Sequence, residues 1–125
     1  MSETVLTITV PFDLWRCSPN RRLNRWDRAR ETRSARERAR VAWLLAGSPT
    51  LAPPVTVDVL ARRGRQMDHL NLPGCLKALF DGLFISAITP DDRADFVRLG
   101  SVEQECGPEW RDRPEVVFTV RCKEE

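Results

Sequence analysis

The sequence predicts an α+β domain: a mixed β-sheet with two principal helices. Three observations lead there. Segments alternating apolar and polar residues open the chain, recur near its middle and close it, as half-buried strands do. Two segments between them carry apolar residues at helical spacing. The order is strand, helix, strand, helix and a strand-like tail, with 125 residues and 42% hydrophobic content, enough for one modest core and one domain spanning residues 1–125.

The elements follow in chain order. Leu6, Ile8 and Val10 alternate with Thr7 and Thr9, and Pro11 ends this first strand. From Pro11 to about Trp26 an irregular basic loop is expected, with Ser18-Pro19-Asn20 as turn chemistry. A helix then runs from about Asp27 to Ala46, stopped by Gly47-Ser48-Pro49. Ala35, Ala39, Ala42 and Ala46 form one stripe on it, suited to packing, and Arg33, Arg36 and Arg40 an adjacent one. Val55, Val57 and Val59 alternate with Thr56, Asp58 and Leu60 in a second strand that runs out into Arg62, Arg63 and Arg65. Asn71-Leu72-Pro73 starts a second helix, with Asn71 as its N-cap and an end near Ile85. Two strand-like segments close the chain, Asp95 to Glu105 and Glu115 to Lys123.

Composition narrows the function classes. No apolar run reaches the roughly 20 residues of a membrane helix, and MSETVLTITVPF has no basic region followed by an apolar one, so a cytoplasmic protein is expected. Cys17, Cys75, Cys106 and Cys122 are widely spaced and His69 is the lone histidine, which argues for reduced structural thiols over a zinc site. Charge is uneven. Arg16 to Arg40 holds ten arginines against Asp27, Glu31 and Glu37, a net +7; with the whole chain at +2, the rest carries +2 less +7, or −5. Guanidinium forks suit bidentate contact with phosphate, so nucleic acid is the leading partner, the alternative being a solvated helix face. Trp15 and Trp26 bracket the basic loop and are candidates for stacking on bases or for burial.

The stretch MDHLNLPGCLKALFDGLFISAITPDD concentrates the remaining chemistry. Asp68 sits just past a strand, Lys77 and Asp81 share a helix face at i, i+4, and Asp91-Asp92 lie in a turn after the helix. A helix packing back across the sheet would bring Asp68 towards Asp91 and Asp92, and like charges held close call for a cation, with magnesium or manganese the natural occupant. Such an ion activates water against a phosphodiester, and a lysine neutralises charge developing on the transition state. The plainer reading makes the same residues turn chemistry and a surface ion pair.

The order D-x-x-N, a short gap, K-A-L-x-D-G-L and then D-D resembles the RusA family of Holliday junction resolvases, including its phage and prophage relatives. The first strand ending in proline and SPNRRLNRWDRARETRSARERA are similar to that family's basic segment and helix, so the resemblance spans about Val5 to Val97. It implies a RusA-like fold, a homodimer, magnesium dependence and paired nicks across a four-way DNA junction. Asp68, Lys77 and Asp92 match the catalytic positions, Asp68, Asp91 and Asp92 would hold the metal, and Arg21, Arg22, Arg33, Arg36 and Arg40 would contact phosphates. One position departs: Leu70 stands where the pattern's second aspartate falls, and leucine cannot coordinate a metal. Either a neighbour compensates, Asp81 or Asp91, or the protein keeps the fold and binds junction or duplex DNA without cutting it. A third reading is an unrelated basic domain whose aspartates are turn residues.

Overall fold

Alternation along the strands becomes a two-sided sheet, one face closed and one open. The computed structural model describes residues 2–93 and 95–124. Strands β1 (Ser2–Val10), β2 (Val55–Arg63), β3 (Val97–Cys106) and β4 (Glu115–Glu124) form one sheet in the order β1-β4-β2-β3, with helices α1 (Arg25–Leu45) and α2 (Leu72–Phe84) in the connections. β4 pairs antiparallel with β1 and β2, whereas β2 and β3 run parallel through the crossover that contains α2. A mixed sheet with two helices is the expected architecture, and the helices start and stop within two residues of their expected bounds.

The closed face is built from every second strand residue. Ile8 and Val10, Val55, Val57, Val59 and Ala61, and Val116, Phe118 and Val120 are buried with Leu76, Leu79 and Leu83 of α2. Ala35, Ala39 and Ala42 bury the small-residue stripe of α1, while Ala46 is exposed as the helix's C-cap. The two helices approach most closely at Gly82. A Cβ there would lie 2.5 Å from the Arg36 carbonyl oxygen and 2.7 Å from the Ala39 Cβ, closer than real contacts allow.

Several local devices differ from expectation. β1 begins at Ser2, earlier than its alternation suggests, because β4 pairs with it all the way to Glu124. α1 begins at Arg25 because Asn24 caps it, its side chain accepting from the Asp27 N–H at 2.8 Å. Asn71, expected as the N-cap of α2, makes no side-chain cap bond. α2 instead grows out of a 3₁₀ turn, His69–Asn71, which Asp68 caps by accepting from the Leu70 N–H at 3.0 Å. The basic loop is anchored rather than irregular throughout. A 3₁₀ turn, Leu14–Cys17, buries Leu14, with Phe12 and Ser18 buried on either side.

Candidate functional site

The site forms where the middle of α2 meets the turn before β3. Lys77 and Asp81 share a face because they are one helical turn apart, and the Lys77 Nζ donates to the Asp81 Oδ1 at 2.8 Å. The turn returns the chain so that the same ammonium donates to the Asp92 Oδ2, also at 2.8 Å. The Thr89 hydroxyl fixes that turn, donating to backbone carbonyl oxygens of Phe84 and Asp91 at 3.1 and 2.6 Å. Asp91 completes it by accepting from the Asp92 N–H at 2.7 Å.

The electrostatics follow from this geometry. The Asp81 and Asp92 carboxylates raise the Lys77 pKa above its ordinary value, so this lysine stays charged and acts as a cation, not as a base. Its ammonium in turn holds Asp92 below the usual carboxylate range, against the opposing effect of partial burial. Asp81 is only 12% exposed, and its second oxygen lies 3.6 Å from the Arg36 guanidinium. Lys77 is 68% exposed and stands at the rim of two cavities, one of about 290 Å³ towards α1 and one of about 220 Å³ towards Leu99 and Val97 of β3.

Of the aspartates expected to hold a metal, Asp91 and Asp92 are adjacent, and Asp68 stands apart from them in its bonding, engaged with the Leu70 backbone before α2 begins. Lys77 lies five residues into α2, roughly 7 Å of helix rise beyond Leu72. Asp81, considered as a compensating ligand, is a charge partner of Lys77 and Arg36. Leu70 is 85% exposed. Among the described residues no three histidine, cysteine, aspartate or glutamate side chains are grouped to hold a metal ion. Asp91 and Asp92 are thus the only adjacent pair among the carboxylates that the resemblance assigns to the ion, and Asp68 does not join them in a bond.

The arginines divide by what they touch. Arg21 is a brace, its Nη1 donating to Glu31 at 2.6 Å, and Glu31 also receives Arg16 at 2.9 Å. These two guanidiniums, Arg16 first, pull the Glu31 pKa down to about 2 despite partial burial. Arg40 caps α2 from across the helix interface, donating to the carbonyl oxygens of Gly82 at 2.9 Å and Ile85 at 2.7 Å. Arg36 forms the wall beside Asp81. Arg22 and Arg33 are exposed and have no carboxylate partner among the described residues. So two of the five arginines expected on phosphate are spent inside the fold, and three remain presented.

Two features escaped the reading of the residues. Trp26 is 68% exposed with the Arg25 guanidinium 4.7 Å above its ring, and Trp15 is also exposed, so neither is a core tryptophan. The α1 cap at Asn24 was legible in principle, as an Asn-x-x-Asp start before a helical segment. Compared with known proteins, the chain matches no family model, and no curated protein is similar to it at a significant level.

Proposed function

We propose that the chain is an endonuclease acting on branched DNA in the manner of the junction resolvases. One observation carries the reading: Lys77 and Asp92, fifteen residues apart, meet at 2.8 Å. They are the positions that the resemblance makes the lysine and the final aspartate of one site, and nothing in their spacing requires them to touch. Arg36 stands beside that pair through Asp81, Arg22 and Arg33 are exposed cations of the same basic segment, and Lys77 is the cation available to neutralise a developing oxyanion. A two-fold homodimer would supply two such sites for symmetric cuts in a four-way junction. The same reading carries a cytoplasmic location.

A specific observation favours a second reading, binding of junction or duplex DNA without cleavage: the described residues hold no group of three potential metal ligands, and Leu70 stands where the resembled pattern has an acid. Incubating a labelled four-way junction and a linear duplex with the protein in magnesium, manganese or chelator, beside Asp92→Asn, separates the two. Paired, metal-dependent nicks in the junction alone, lost in the variant, support the nuclease. Tight binding with no nick under any metal selects the second reading, and Leu70→Asp then tests whether one missing ligand is the cause. No binding to either DNA overturns both.

A further inference from the structure

We infer that the cavity between α1 and α2 is a pocket for a doubly charged phosphate at the end of a nucleic-acid strand, an assignment that rests on the nucleic-acid reading above. The cavity is about 290 Å³, near the lower end of the roughly 300–1,000 Å³ of small-molecule pockets. Its wall carries four cations, Arg16, Arg28, Arg36 and Lys77, against two carboxylates, Glu31 and Asp81. Counting the neighbours bonded to these groups, Arg21 on Glu31 and Asp92 on Lys77, adds one charge of each sign. Two positive charges are therefore left over either way. An internal phosphodiester brings one negative charge and a terminal phosphate close to two at neutral pH, so the strand end is the better complement.

The donors are arranged for capture. Arg16 is locked to Glu31 and serves as frame. Arg28 is fixed by bonds to the carbonyl oxygens of Ser18 at 3.2 Å and Arg21 at 2.6 Å, neither of which neutralises it. Arg36 is 53% exposed and reaches Asp81 only at 3.6 Å, beyond hydrogen-bonding distance, so it can turn to a phosphate without breaking a bond. Lys77 spans this cavity and the Asp92 pair, which places a bound strand end directly beside the candidate active site.

Fluorescence anisotropy in chelator, with single-stranded oligonucleotides bearing a 5′-phosphate, a 3′-phosphate or hydroxyl at both ends, tests this. The native chain is expected to bind one phosphate-ended strand about tenfold more tightly than the hydroxyl-ended strand, as one charge-assisted contact provides. Arg36→Gln should erase that ratio, while Arg22→Gln, outside the cavity, should weaken all strands alike and keep it. Equal affinity for every end, with DNA still bound, overturns the pocket and leaves the proposed function standing. No binding of any strand, with inorganic phosphate raising the melting temperature of the native chain and not of Arg36→Gln, would keep the pocket and remove its nucleic-acid ligand. Neither effect would overturn both.

Discussion

Two groups of arginines face solvent in this fold, and they have been treated in opposite ways. At the C-terminal end of β2, Arg62 is held by Glu105 at 3.0 Å and Glu115 at 2.9 Å, and its guanidinium lies 4.8 Å over Trp110. Arg63 is held by Asp13 at 3.0 Å. On the open face of the sheet Arg121 pairs with Asp58. Along α1 and the segment before it, Arg22 and Arg33 have no such partner, and Arg36 has only a loose one. Paired arginines cement strand ends and contribute little field; unpaired ones leave a standing positive potential that a polyanion can neutralise. Arg62, Arg63 and Arg121 are thus neutralised in place, whereas Arg22 and Arg33 of the basic segment leave their charge at the surface.

The largest expected effect sharpens this contrast at the site. If the chain cleaves DNA, Lys77→Met should cut the rate on the order of 10²–10³-fold, the usual cost of one preorganised group that stabilises transition-state charge. Arg62→Gln should leave it unchanged. Single-turnover rates on the junction decide between them, and equal losses would erase the distinction.

Next comes the helix layer that presents the unpaired charges. Gly82→Ala inserts a methyl group where Arg36 and Ala39 leave no room, and should destabilise the fold by about 1–3 kcal/mol in urea unfolding. Since Arg36 is displaced directly, the variant should also lose DNA affinity in its folded fraction. A neutral result would show that α1 can move away at no cost.

Smaller still is the brace beneath the loop. Glu31→Gln removes a carboxylate shared by Arg16 and Arg21 and should cost about 1–2 kcal/mol near neutral pH, discounted for partial solvent screening. Because the folded state depresses this carboxyl from its ordinary 4.5 to about 2, its contribution is present above the ordinary value and is lost as pH falls towards 2. The stability difference between native and variant chains should therefore shrink across that window. A difference independent of pH would contradict the assignment.

Much of the fold was legible because its signals are local. Alternation marks β1, β2 and β4 but not β3, where only Val97 is buried; the Gly47 stop and alanine stripe mark α1, and Lys77–Asp81 follows from helical geometry. What was not legible depends on distant partners. Arg40 caps carbonyl groups 42 and 45 residues away, and Asp58 satisfies the irregularity between β2 and β3 by accepting from the Ser101 N–H at 2.8 Å. No periodicity encodes either. The candidate site is split in the same way: its i, i+4 half was readable from spacing, and its Asp92 half rested on a helix packing back towards the turn and on the resemblance. Asp68, expected on a metal, is used to start the turn into α2, a role its Asp-x-Leu spacing permits as readily.

The central claim is that DNA meets the α1 side and not the strand end, and the salt dependence of junction binding tests it most directly. Each neutralised phosphate contact contributes about 0.9 to the slope of log K against log salt. Arg22→Gln with Arg33→Gln should lower that slope by roughly two, while Arg62→Gln with Arg63→Gln, checked to be folded, should leave it unchanged. A slope that falls for the strand-end pair and not for the α1 pair would contradict the account.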